Sequence, residues 1–308
     1  MGNAVAAEIE PASPGIAYWA DAIEGKLQPD PDAFERMITH PRFRAACEQQ
    51  LRDTLTLNQN NAKMSRVLID IQRAILGFFV LYLDARGAVT HATVRDFCVE
   101  VGLTSPGRAT AILLSLRMAG YIVPDPVQPD RRSRRYVLSR EARTYFNTAF
   151  RNQMRGLALL EPEALRVAER FDEDAIYKGV VLAICNGLAA ASRRGDTSAI
   201  SLFDQRNAGL GILFRICLSG EPDDDYPPRR PVPLSINALA NEFGVSRPHV
   251  RKLLRDAEAA GLFRRDEVSS TIVFLEPLRE AMIRYHAVVL MGFSHAARSA
   301  LRATGEMD

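Results

Sequence analysis

Residues 236–265 read INALANEFGVSRPHVRKLLRDAEAAGLFRR, and the order of stops and starts in that stretch sets the fold. A short apolar-periodic segment, Ile236–Phe243, ends at Gly244. Ser246 then stands where a helix begins: its hydroxyl can accept from the exposed amides, and Pro248 fits the first turn, where a backbone N–H has no partner to lose. Val250, Leu253, Leu254 and Ala257 recur at helical spacing and fall on one face. Gly261 closes the helix, because glycine tolerates the left-handed backbone of a C-terminal cap. Beyond it Leu262-Phe263 and Thr271–Leu275 are β-prone, with a polar loop between them that carries Asp266 and Glu267.

The same plan occurs earlier in the chain. From Val94 to Val123 the sequence is VRDFCVEVGLTSPGRATAILLSLRMAGYIV. Superposing Ser105 on Ser246 places Ala109 on Val250, Ile112 and Leu113 on Leu253 and Leu254, Leu116 on Ala257 and Gly120 on Gly261, at a constant offset of 141. Upstream, IQRAILGFFVLYL (Ile71–Leu83) faces DQRNAGLGILFRICL (Asp204–Leu218), with Gln72-Arg73 on Gln205-Arg206. A helix, Thr93–Val101, precedes the first copy's glycine turn, and the β-prone pair Tyr121–Val123 and Tyr136–Ser139 follows it. Helix, tight turn, helix and a two-stranded hairpin is the pattern of a winged helix-turn-helix. The chain is therefore expected to be mainly α, with two such units from an internal duplication. Additional long helices are expected at Asp32–Asn60, Met64–Gly87, Glu141–Leu160, Glu163–Ser192 and Glu276–Arg302. The expected organisation is an N-terminal helical arm (1–62), a first unit (63–160), and a helical segment plus second unit (161–308).

Net charge is only +2 over 308 residues, but its distribution is uneven. Between Ser105 and Arg140 seven arginines face two aspartates, and between Arg229 and Arg265 eight basic residues face three acids. Such islands suit a polyanion better than the near-neutral total suggests. In the second unit, burying the 250/253/254/257 face turns Arg247, Lys252 and Arg255 outward, flanked by His249 and Arg251. These donors sit in the half of a helix that would meet base edges and phosphates. Ser246 has two roles open to it, cap and phosphate contact. The first unit offers Ser105, Arg108 and Thr110 early in its helix, followed by Ala111 and Leu114. Its hairpin carries Arg131, Arg132, Arg134 and Arg135, guanidiniums suited to a narrow, electronegative minor groove.

The second copy resembles the winged helix of GntR-type bacterial transcription regulators at Leu239, Ala240, Gly244, Val245, Ser246, Arg247, Val250, Arg251, Leu254, Glu258, Gly261 and Leu262. The hairpin of the first copy, PDRRSRRYVLSREAR (Pro129–Arg143), is similar to that of MarR-type regulators. The resemblance spans roughly 65–160 and 200–275. It implies a transcription regulator that binds double-stranded DNA, with two units in one chain acting as a fused pseudo-dimer; it allows a small-molecule effector and further homodimerisation. Two alternatives stay open: a replication-initiator or chromosome-maintenance protein, and a winged-helix interaction scaffold, which the apolar first helix favours.

Other classes find no support in the residues. The five histidines form no HExxH pair, and Cys47, Cys98, Cys185 and Cys217 have no metal-site or disulfide spacing, so no metal, no cofactor and no enzymatic activity are expected. The longest apolar runs fall well short of the roughly 20 residues a bilayer requires, so no membrane association is expected. The opening MGNAVAAEIEPASPG has two glutamates and no basic region, unlike a secretory signal. A cytoplasmic, nucleoid-associated protein is the expectation.

Overall fold

The computed structural model describes residues 31–127, 135–192, 199–266 and 268–306. They are mainly helical, with two small antiparallel sheets, and their apolar side chains collect into two cores. The first core is built from α1 (Pro31–Ile38), the first half of α2 (Phe43–Asn60), α3 (Ala62–Val67), α4 (Ile71–Ala85), α5 (His91–Glu100), α6 (Pro106–Met118), β1 (Ile122–Pro124), β2 (Tyr136–Leu138), α7 (Arg140–Leu157), α8 (Ala164–Glu169) and α9 (Asp174–Ser192). The second contains α10 (Ser201–Asp204), α11 (Gly209–Cys217), β3 (Val232–Pro233), α12 (Ile236–Phe243), α13 (Arg247–Ala259), β4 (Phe263–Asp266) and β5 (Thr271–Phe274). The last helix, α14 (Glu276–Ala303), serves both: Leu278 and Met282 are buried in the second core, and Ala287 through Leu301 in the first.

Three expected helices are interrupted. Asp32–Asn60 breaks around Pro41, which disfavours helix at the residue before it. Met64–Gly87 breaks at Leu68–Asp70, where the Asp70 carboxylate accepts from the Arg73 amide (2.9 Å) and starts α4 afresh. Glu163–Ser192 breaks after α8, and the turn lets Phe171 enter the first core completely. The cores also divide the chain differently from the intervals 63–160 and 161–308. Val167, Ile176 and Val180 are buried with Phe79 and Phe150 of the earlier interval.

Positions 141 residues apart, after the two serine-capped helices, make similar bonds. Gly120 (φ +78°) and Gly261 (φ +69°) both lie in the left-handed region that a side chain disfavours. The next amides, Tyr121 and Leu262, fold back to the carbonyls of Leu116 and Ala257, both at 2.9 Å. β1 pairs with β2 from Ile122↔Leu138, and β4 with β5 from Phe263↔Phe274. In both halves a further extended segment leads into the following helix. In the second it is β3, unanticipated from two residues of sequence, with the ladder order β3-β5-β4 and Pro233 on an edge, where its missing N–H costs nothing. In the first it shrinks to a single bridge, Thr90↔Arg135.

α2 ties the halves together. Ala46 and Cys47 lie in the first core, and Leu51 and Leu55, further along the same helix, in the second. At its end Asn58 accepts from the Tyr145 hydroxyl (2.8 Å) of α7, and Gln59 donates to Glu242 (2.9 Å) of α12. α9 and α14 come into backbone contact, since a Cβ on Gly179 would stand 2.9 Å from the Ala300 Cα. No helix among the described residues is long and apolar enough to cross a membrane. The four cysteines are free and buried.

Candidate nucleic-acid interface

The site begins with the N-terminus of α13. Ser246 has an extended backbone, and its Oγ accepts from the His249 amide at 3.2 Å, so one of the helix's orphan N–H groups is satisfied. Ser105 does the same for the Arg108 amide at 3.4 Å. Ser246→Ala should therefore cost about 1 kcal/mol of stability, and Ser246→Asp, which preserves the cap, much less. Chemical denaturation of the two variants checks this; equal losses would mean that the hydroxyl is not acting as a cap.

Val250, Leu253, Leu254 and Ala257 are buried in the second core, which leaves Arg247, Arg251, Lys252 and Arg255 exposed along the opposite face. Their surroundings distinguish them. Lys252 Nζ lies 3.0 Å from Asp256 Oδ2, and Arg206 reaches the same oxygen at 3.1 Å. The Lys252 contact, followed by the charges of Arg206 and Arg255, holds the Asp256 carboxyl below its ordinary range. His249 turns back toward the body of the protein, where its Nε2–H donates to the Asn207 carbonyl (2.9 Å). Arg247 and Arg251 have no hydrogen-bond or ion-pair partner among the described residues. Their guanidiniums are free to meet an external acceptor.

The adjoining hairpin separates its two arginines by strand alternation. Arg265 packs toward α13, where Glu258 receives its backbone amide (2.9 Å), Nε (2.9 Å) and Nη2 (2.5 Å). Those bonds keep the Glu258 carboxyl below its usual range and clip β4 to the helix. Arg264 points the other way, exposed and without a partner among the described residues. It was not singled out from the sequence, yet the period-two pattern around buried Phe263 carries the signal. Asp266 is occupied within the turn, accepting from the amides of Val268 (2.9 Å) and Ser269 (3.3 Å). Glu267 lies outside the described residues.

The exposed face of α6 is different in kind. Ala109, Ile112, Leu113 and Leu116 are buried, while Thr110, Ala111, Leu114 and Met118 are exposed, Leu114 at 43% and Met118 at 80%. Arg108 leans back toward Asp70 (3.6 Å), which Arg73 also approaches (3.3 Å). The Thr110 hydroxyl donates to the Pro106 carbonyl (2.9 Å). Arg135, just before β2, is exposed; Arg131, Arg132 and Arg134 lie outside the described residues. Between α2 and the start of α7, beside the root of this hairpin, runs a groove of about 560 Å³ lined in part by Asp53, Asn60, Arg140, Tyr145 and Thr148. No group of three or more metal-ligating side chains occurs among the described residues. No family model, curated protein or solved structure matches the chain.

Proposed function

We propose that the chain is a sequence-specific regulator of transcription that binds double-stranded DNA with two winged helix-turn-helix units, a fused pseudo-dimer produced by internal duplication. One observation carries the reading: Arg247 and Arg251 stand exposed, with no partner among the described residues, on the outer face of α13, the second helix after a tight turn. Cations exposed on that face are presented as a helix in the major groove would need them. The matching caps, glycines and hairpin registers of the first half support a second reading head. A groove between α2 and α7, next to the first hairpin, is available to a small-molecule effector.

The test is binding of the full chain to random-sequence duplexes across a salt series. Each neutralised phosphate contributes about −0.9 to the slope of log affinity against log salt concentration. Replacing Arg132, Arg134 and Arg135 by alanine should flatten that slope by roughly 2 to 3 units if each meets a phosphate. Absence of duplex binding at low salt would overturn the reading.

A further inference from the structure

The two helices occupy equivalent places but carry opposite chemistry. Where α13 has Arg247, Arg251, Lys252 and Arg255, the same offset gives α6 Pro106, Thr110, Ala111 and Leu114. Arg108 is drawn to Asp70, and the Thr110 hydroxyl proton is committed to the Pro106 carbonyl, which leaves the threonine methyl for an outside surface. Gly107 adds no side chain, and nothing stands within 4 Å of where its Cβ would be, so the start of the face is flat as well as apolar. Arg117, three residues beyond Leu114 on the same helix, is exposed at the end of this strip, with its Nη1 3.5 Å from the Tyr136 hydroxyl, and a cation there matches a phosphate better than an apolar protein surface.

In a major groove, a surface of this kind finds one apolar feature on the base edges, the C5-methyl group of thymine. We infer that α6 reads its half-site by packing Thr110, Ala111 and Leu114 against thymine methyls. α13 reads the other half-site through guanidinium donors, for which the O6 and N7 acceptors of guanine are the natural partners. The chain thus selects a composite site with a methyl-bearing half and a guanine-bearing half. This inference rests on the DNA-binding reading and adds the identity of the bases.

The experiment starts from duplexes selected by the full chain from a random pool. Each thymine is then replaced singly by uracil, which deletes the methyl and keeps the pairing edge. Separate duplexes carry 7-deazaguanine at each guanine, which removes N7. In one half of the site, uracil should weaken binding about fourfold per buried methyl. There, 5-methylcytosine·guanine should bind like thymine·adenine, and cytosine·guanine like uracil·adenine, so that affinity follows the methyl and not the base pair. In the other half, 7-deazaguanine should be the damaging change. Leu114→Ala, at an exposed position, should shrink the thymine–uracil difference at the thymine it covers and leave the 7-deazaguanine effect intact. If uracil is tolerated everywhere while 7-deazaguanine still costs affinity, the methyl reading fails and DNA binding stands. If Leu114→Ala changes the mass of the chain in solution but not the thymine–uracil ratio, the face is a protein contact and the inference is overturned. If no duplex binds, the DNA reading falls and takes this inference with it.

Discussion

The double variant Arg247→Ala/Arg251→Ala is expected to bind a selected duplex about 2–6 kcal/mol more weakly than the parent chain, with each arginine contributing about 1–3 kcal/mol if it makes a bidentate base contact. The sum assumes that the two contacts are independent, which holds only approximately for residues one helical turn apart. On random DNA the loss should be much smaller, because a phosphate contact carries no sequence information. Neither side chain is bonded to any of the described residues, so the fold is not expected to suffer and the melting temperature should stay near that of the parent. Lys252→Ala is the informative control. Its ammonium is already shared with Asp256, so its removal should cost less on the selected site. Equal losses on selected and random duplexes would reduce Arg247 and Arg251 to phosphate anchors. No loss on either would remove α13 from the interface.

What the sequence made legible was local. Ser105 and Ser246 declare their caps, Gly120 and Gly261 their helix ends, and the apolar quartet of α13 its buried face, because each signal depends on residues within a turn or two. The fate of the polar face was legible only in part. Lys252 and Asp256 are four residues apart on one helix, a spacing that advertises their pairing. His249 is different: its acceptor is the Asn207 carbonyl, 42 residues away, so no local pattern reveals that it turns inward. The sharing of α14 between two cores was equally hidden. Its periodicity announces an amphipathic helix, but Leu278 and Ala300 go to different neighbours, a matter of tertiary arrangement. β3 escaped because two residues cannot display alternation.

That shared helix also carries the largest expected response to pH. His286 lies midway along α14, where it passes from the second core to the first, and is only 1% exposed. Its Nε2 is 2.7 Å from the Tyr226 hydroxyl, its ring sits among Phe214, Tyr226 and Tyr285, and Nδ1 has no partner among the described residues. A tautomer with the proton on Nε2 lets imidazole donate to Tyr226 and leaves Nδ1 as a bare lone pair, which is less costly to bury than an orphaned N–H. Burial lowers the imidazole pKa to about 3, and no carboxylate among the described residues offsets it. The unfolded chain, with an ordinary value near 6.5, takes up the proton first, so stability is complete above that pH and is lost as pH falls from about 6.5 toward 3. At pH 5 the loss from this residue should be about 2 kcal/mol, from roughly 1.4 kcal/mol per pH unit. His295, half-buried near Arg298 and Arg302, is shifted in the same direction, so the total fall in stability does not isolate His286. Comparison with His286→Gln does, since glutamine keeps a polar end toward Tyr226 and does not titrate. Denaturant unfolding at pH 7 and pH 5 should show the parent chain losing about 2 kcal/mol more than the variant across that interval. Parallel losses in both proteins would mean that the imidazole is hydrated or charge-compensated, and that the passage of α14 between the two cores is not the dry junction its neighbours describe.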